Sequence, residues 1–278
     1  MIWLWIVLGI LAFFLLLVLL YLWMLMPGRP RMEMLKPFEE VYIAHRGLFD
    51  PEQGIPENSL PAFRRAVEHG YGIELDVQMT KDGKLVVFHD RTLLRMCGVD
   101  RVLTKLTYDE LMEYSLGNTA EKIPLYEEVL EVVGGKVPLV VEVKPDGKCI
   151  KATAAMCKRM ETYPGLFCME SFHPICLWWA RWHYPSIIRG QLSMNFFIEE
   201  ADRPFYQKLV MTSLLLNVFA RPDFISYKHS QKDQFCYRLL RRLFRVKNAA
   251  WTIKSQDQLD RAKDTFQVII FDSFIPKI

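Results

Sequence analysis

The chain has 278 residues, a formal net charge of +3, and 51% hydrophobic against 24% charged residues. A charge so small and so dispersed gives no argument for a nucleic-acid binder, and no nucleic-acid partner is expected. The six cysteines (97, 149, 157, 168, 176 and 236) form no C-x-x-C pair and show no metal-ligand spacing, so they read as reduced, mostly buried thiols.

Residues 1–26 carry no charged side chain. As a helix they would reach about 39 Å, enough to cross a hydrocarbon core with tilt. Trp3, Trp5, Tyr21 and Trp23 lie near the two ends, where aromatic belts sit. A cleaved signal peptide would want a basic start and a small-residue cleavage site. Neither Lys nor Arg precedes the run, and Met24-Leu25-Met26-Pro27 offers no small-x-small pair. The segment is expected to remain as a single-pass transmembrane helix. Arg29, Arg31 and Lys36 all follow it, which by the positive-inside rule places the catalytic domain in the cytoplasm behind a very short external N-terminus.

Residues 27–38 read as a linker, because Pro27, Gly28, Pro30 and Pro37 break regular structure. Residues 39–278 read as one domain. Short β-like runs at 41–45, 71–77, 138–143, 167–172, 187–192, 223–228, 248–253 and 267–272 alternate with helical patterns at 59–69, 149–162, 174–183, 203–217, 233–245 and 256–264. This alternation predicts an α/β fold with a parallel sheet and crossover helices, closed as a TIM (β/α)8 barrel. The stretch 78–137 is too long for a simple crossover. It holds a further strand-like run at 85–89 and helices at 107–115 and 124–133, and reads as an elaborated loop region on the catalytic face.

In such a barrel the C-terminal strand ends build the active site. Glu74 and Asp76, two apart on one strand, face the same side, and Glu142 joins them from the next strand. Three carboxylates among Ile73, Leu75, Val77, Val140, Val141 and Val143 are costly to bury without a cation. Hard oxygen ligands suit Mg²⁺ or Ca²⁺. Arg46 can grip a phosphate bidentately, Lys144 can add a second cation, and Gly47 lets the backbone turn. His45 and His89, each at a strand end, are the candidates for proton transfer. Asp90 orients His89 or caps the following turn. Asn58 or Ser59 caps the next helix, and Glu57 reaches either the metal or Arg46.

The ordered set His45-Arg46-Gly47, Pro56-Glu57-Asn58-Ser59, Glu74-Leu75-Asp76-Val77, His89-Asp90 and Glu142-Val143-Lys144 resembles the glycerophosphodiester phosphodiesterase family. Ser171-Phe172 and Trp251-Thr252 match later positions, so the likeness covers roughly residues 41–275. The resemblance implies a TIM barrel, with His45 and His89 as general acid and base and Glu74, Asp76 and Glu142 holding the metal. It also implies phosphate contacts from Arg46 and Lys144, and a pocket lined by Trp251. Phe271-Asp272-Ser273-Phe274 departs from the Thr-Asp/Asn-x-Pro ending expected of the last strand.

The expected activity is hydrolysis of glycerophosphodiesters to glycerol 3-phosphate and an alcohol. Three features allow membrane-facing alternatives: Trp178, Trp179, Trp182 and Tyr184 on and just after one helix, the apolar run 209–219, and the arginines 238, 241, 242 and 245 opposite leucines and Phe244. They fit a lysophospholipid or lipid-linked glycerophosphate substrate, and the 209–219 run also fits a homo-dimer contact. A barrel without catalysis that binds lipid or phosphate is the remaining reading.

Overall fold

The computed structural model describes residues 1–28, 32–200 and 202–277. Its centre is a closed barrel of parallel strands: β1 (Ile43–His45), β2 (Gly72–Met79), β4 (Leu139–Val143), β5 (Phe167–Ser171), β6 (Arg189–Ser193), β7 (Phe224–Lys228), β8 (Lys247–Ile253) and β9 (Val268–Phe271). Pairing of β1 with both β9 and β2 closes the ring. The strand β3 (Leu85–Val87) pairs antiparallel with the far end of β2, outside the ring. Each expected strand is present within a residue or two of its expected bounds.

Strand alternation sorts the residues. Ala44, Ile73, Leu75, Val141 and Ile225 point outward into the main core beneath the helices. Ile43, Val140, Cys168, Phe224, Ala249 and Ile270 point inward and fill the lower half of the barrel. Gly190 serves this packing, since a Cβ there would sit 2.2 Å from the ring of Phe224. One step further up each strand the inward residue changes character to His45, Glu74, Glu142, Glu170, Ser226 and Trp251. The interior is therefore a hydrocarbon floor carrying a polar and charged upper layer.

The N-terminal helix α1 (Ile2–Leu25) is apolar all round and exposed over most of its length. Its C-terminal end is fastened to the domain. Tyr21 donates to the Ser213 carbonyl, Asn217 to that of Leu25, and Arg221 to those of Trp23 and Met26. Leu25 is fully buried.

The segment expected to be a linker contains a helix, α2 (Met32–Glu39). Pro37 removes only the N–H that would reach Glu33, a small loss in so short a helix. Against that loss, Leu35 and Phe38 are buried in the barrel floor. Arg29 and Arg31 lie outside the described residues. The expected helix 203–217 is also interrupted. It runs Phe205–Thr212, breaks where Leu214 takes φ 56°, and resumes as the short turn Asn217–Ala220.

Candidate active site

Glu74 and Asp76 share the inner face of β2, and register pairs Asp76 with Glu142 of β4. Their carboxylate oxygens lie within 4.8 Å of one another, and all three residues are buried. Lys144, one step past β4, places Nζ 2.8 Å from Glu142 Oε1 and 3.2 Å from Asp76 Oδ1. Burial and the like charges of Asp76 and Glu142 push Glu74 well above the usual carboxylate range. Burial acts the same way on Asp76, but Lys144, His89 and Arg46 outweigh it and hold that carboxyl well below. Glu142 is raised, chiefly by burial. Glu170, adjacent to Glu142 across β5, is pushed up to about 8, by burial first and Glu142 second.

The donor set fits a hard divalent cation. It offers three buried carboxylates, an excess of acid over the two nearby cations, and no thiol or imidazole among the converging oxygens.

The turn after β1 supplies the next layer. Arg46 takes φ 57° and Gly47 φ 80°, where a Cβ on Gly47 would meet Ala62 at 2.9 Å. This turn aims the Arg46 N–H at Glu74 Oε2, 3.0 Å away. The Arg46 guanidinium donates to Glu57 Oε1 at 2.7 Å, and its Nε lies 3.4 Å from Asp76. Of the two readings for Glu57, the structure shows the arginine contact, and Arg95 grips the same carboxylate from the other side. Ser59 caps helix α3 (Leu60–Glu68), while Asn58 donates to Asp76 Oδ2 at 2.8 Å.

Both histidines are paired with a carboxylate. Asp90 Oδ1 lies 2.6 Å from His89 Nδ1, and Arg95 holds the other oxygen of Asp90. Burial pushes Asp90 up, but His89 and Arg95 outweigh it and hold it below the carboxylate range. Asp272 Oδ2 lies 3.0 Å from His45 Nδ1, which leaves His45 Nε2 facing inward, 3.9 Å from Glu74. Burial lowers the His45 pKa below 6.5 despite the opposing pull of Asp272. The last strand thus reaches His45 through Asp272, the one fixed position of the expected ending that is kept, while Phe271 and Phe274 depart from it.

Sequence reasoning did not single out Asp272 as the partner of His45, nor Asn58 as a holder of Asp76. It also missed Arg95, Glu170 and Gln78, whose amide donates to the carbonyls of Phe88, His89 and Asp90 and fixes the loop that carries His89. A glutamate at the inward position of Phe167–Ser171 was the available signal for Glu170.

Two recesses flank the acidic cluster. On the β1 and β8 side, His45, Arg46, Arg95, Lys228, Trp251 and Lys254 help line a polar cleft of about 420 Å³. Trp251 packs edge-on against Phe172, their centroids 5.5 Å apart. On the β4 and β5 side, a cavity of about 790 Å³ begins at Glu142 and Lys144.

Residues 45–265 match the glycerophosphoryl diester phosphodiesterase family. The chain belongs to that family. It is 43% identical over 110 residues to a glycerophosphodiester phosphodiesterase of Caldanaerobacter subterraneus, a match that covers 37% of this chain and 44% of that protein. Glycerophosphodiester phosphodiesterase 1 of Bos taurus is 36% identical over 152 residues, covering 51% and 44%. The matches thus span less than half the length of these curated relatives. Among solved structures, an Oleispira antarctica phosphodiesterase in complex with the product sn-glycerol-3-phosphate superposes with a TM-score of 0.67 at 24% identity, covering 84% of this chain and 92% of that one. The Thermotoga maritima glycerophosphodiester phosphodiesterase superposes with a TM-score of 0.62 at 25% identity, covering 84% and 95%. The TIM barrel is therefore the fold of this glycerophosphodiester phosphodiesterase-family chain.

Proposed function

We propose that the protein hydrolyses glycerophosphodiesters to glycerol 3-phosphate and an alcohol, with a divalent cation, Mg²⁺ or Ca²⁺, held by Glu74, Asp76 and Glu142. The observation that carries this reading is a pair of carboxylate-bound histidines, His45–Asp272 and His89–Asp90, flanking a buried acidic cluster. What the cation supplies when bound is positive charge for the phosphoryl oxygens as the transition state develops.

The chain's own residues do the rest. Arg46 and Lys144 bind the phosphate, with Glu57 fixing the guanidinium so that little orientation is left to chance. His45 donates Nδ1–H to Asp272 and so presents the Nε2 lone pair. Burial keeps it neutral near pH 7, as a general base requires. It takes the proton from the attacking oxygen, which belongs to water or to a neighbouring glycerol hydroxyl. His89, held at Nδ1 by Asp90, gives a proton from its other nitrogen to the departing alcohol. Trp251 walls the polar cleft.

Residues 1–26 act as a membrane anchor. The length and composition of α1 support this, and so do the hydrogen bonds that tie its C-terminal end to the domain, where a cleavable signal would be free. The basic residues Arg29, Arg31 and Lys36 favour a cytoplasmic catalytic domain.

The test is release of glycerol 3-phosphate from glycerophosphocholine by the detergent-purified protein, with and without Mg²⁺ or Ca²⁺. Metal-dependent release that disappears in Glu74→Ala, and drops steeply in His45→Ala and His89→Ala, is the expected result. Near-normal turnover in both histidine variants would end the acid–base assignment.

A further inference from the structure

A phosphodiester carries two substituents, and the acidic cluster has two unlike recesses beside it. The β1 and β8 cleft is polar and rich in arginine and lysine. The β4 and β5 cavity, about 790 Å³, starts at Glu142 and Lys144 and is walled by Phe172, Trp178, Met194, Met211, Leu216 and Phe219. That volume falls within the range of about 300–1,000 Å³ typical of ligand pockets. The charged groups on its wall are engaged with each other: Arg203 pairs with Glu200, reaches Gln207 and lies over the Phe196 ring. Apart from His173 and Tyr206, what remains facing the cavity is mostly hydrocarbon, directly beside the place where the phosphate is expected.

The cavity's outer wall is also the place where α1 is fastened. Along α1 the contacts run Tyr21 to Ser213, Leu25 to Asn217 and Trp23 and Met26 to Arg221, followed by Gly28 to Pro222. The matching stretch 213–222 descends toward the start of β7, at the barrel's lower end. The earlier part of α1 therefore rises past the upper, catalytic end. Large aromatic and apolar side chains stand exposed on the cavity wall, among them Trp178, Tyr206 and Phe219, and on the same connection Ile198 and Phe205 (70% exposed). Exposed side chains of this kind, on a connection fastened to an apolar helix, fit a lipid surface.

We propose that the cavity beside Glu142 and Lys144 is an alkyl-chain subsite, so that the substrate is a lysophospholipid drawn from the membrane that α1 spans. This rests on the phosphodiesterase reading above. The chain-bearing glycerol lies toward the cavity and the polar head group toward the arginine-rich cleft. Water is consumed and the P–O bond to the head-group alcohol breaks. The alcohol leaves with a proton, and an acylated glycerol 3-phosphate remains.

The experiment compares octanoyl lysophosphatidylcholine, kept below its micelle concentration, with glycerophosphocholine on the full-length protein in amphipol. It uses wild type, Val210→Trp and Phe219→Glu. Wild type is expected to favour the lysolipid in kcat/KM by at least about tenfold, from the apolar area its chain buries. Both variants are expected to lose that preference while turning over glycerophosphocholine as wild type does. Alkylphosphocholines of increasing chain length, titrated calorimetrically, should bind about fourfold tighter per added methylene to wild type and not to Phe219→Glu. Turnover of glycerophosphocholine without a preference for the lysolipid would overturn the chain subsite and leave the phosphodiesterase reading standing. So would a preference that both variants retain. If neither substrate turns over, the phosphodiesterase reading fails, and the calorimetric series still decides the cavity: affinity that ignores chain length refutes it.

Discussion

Asp272→Asn isolates the His45–Asp272 pair without changing the size of the side chain. Asp272 is largely buried, accepts from His45 Nδ1 at 3.0 Å and is steadied by the Ser273 hydroxyl at 2.8 Å. Hydrogen bonds to charged groups contribute about 1.5–3 kcal/mol. If the full amount is expressed when His45 carries the transferred proton, kcat/KM falls about 10- to 150-fold. The pH profile sharpens the test. Burial lowers the His45 pKa and Asp272 opposes it, so the acidic limb of kcat/KM should lie below pH 6.5 in wild type. It should move lower still in the variant, as its plateau drops. The assay is glycerol 3-phosphate release across pH, with melting temperature as the folding control. A plateau kept within about twofold, or a limb displaced upward, would refute the role given to the pair.

Mg²⁺ or Ca²⁺ should raise the melting temperature of wild type and leave Glu74→Ala unmoved, because binding to the folded state alone stabilises it. Without metal, Glu74, Glu142 and Glu170 hold protons in the folded protein more tightly than when unfolded. Their contribution is complete below their ordinary value of 4.5 and is lost as pH rises, through about 8 for Glu170, so the metal-free protein should melt lower at pH 8 than at pH 5. Asp223→Ala breaks the buried ion pair with Arg189, 3.2 Å away, and should cost about 3–5 kcal/mol in denaturant unfolding with little change in turnover. The Cys149 thiol is brought to about 7, first by its hydrogen bond with Cys176, while burial pushes Cys97 up to about 11 and Cys157 up to about 12. Iodoacetamide at neutral pH should therefore label Cys149 ahead of those two, as peptide mapping would show.

The barrel and its metal-like cluster were legible because strand periodicity and inward charge coincide. Glu74-Leu75-Asp76 announces both the face and its unusual cargo in three residues. The partners of those groups were harder to see, since each depends on distance through the fold. Asp272 lies 227 positions from His45, and only barrel closure brings β9 beside β1. Asn58 looked sufficient as a helix cap, but Ser59 takes that role and Asn58 turns inward at φ 54°. Helix α2 was hidden by Pro37 and by the prolines before it, because local propensity ignores the burial of Leu35 and Phe38. The break at Leu214 was invisible for a related reason. An unbroken apolar run gives no sign of where packing against α1 and the cavity will turn the chain.

The division of labour between strands and connections has a practical meaning. Asp76 and Glu142 are locked by adjacent positions on paired strands, whereas the outer cavity wall comes from residues 194–219, a connection between β6 and β7. Exchanging that connection among related barrels should retune which molecules are accepted while the reaction itself is inherited intact. The fold thereby separates two properties that evolution, or a designer, can alter one at a time.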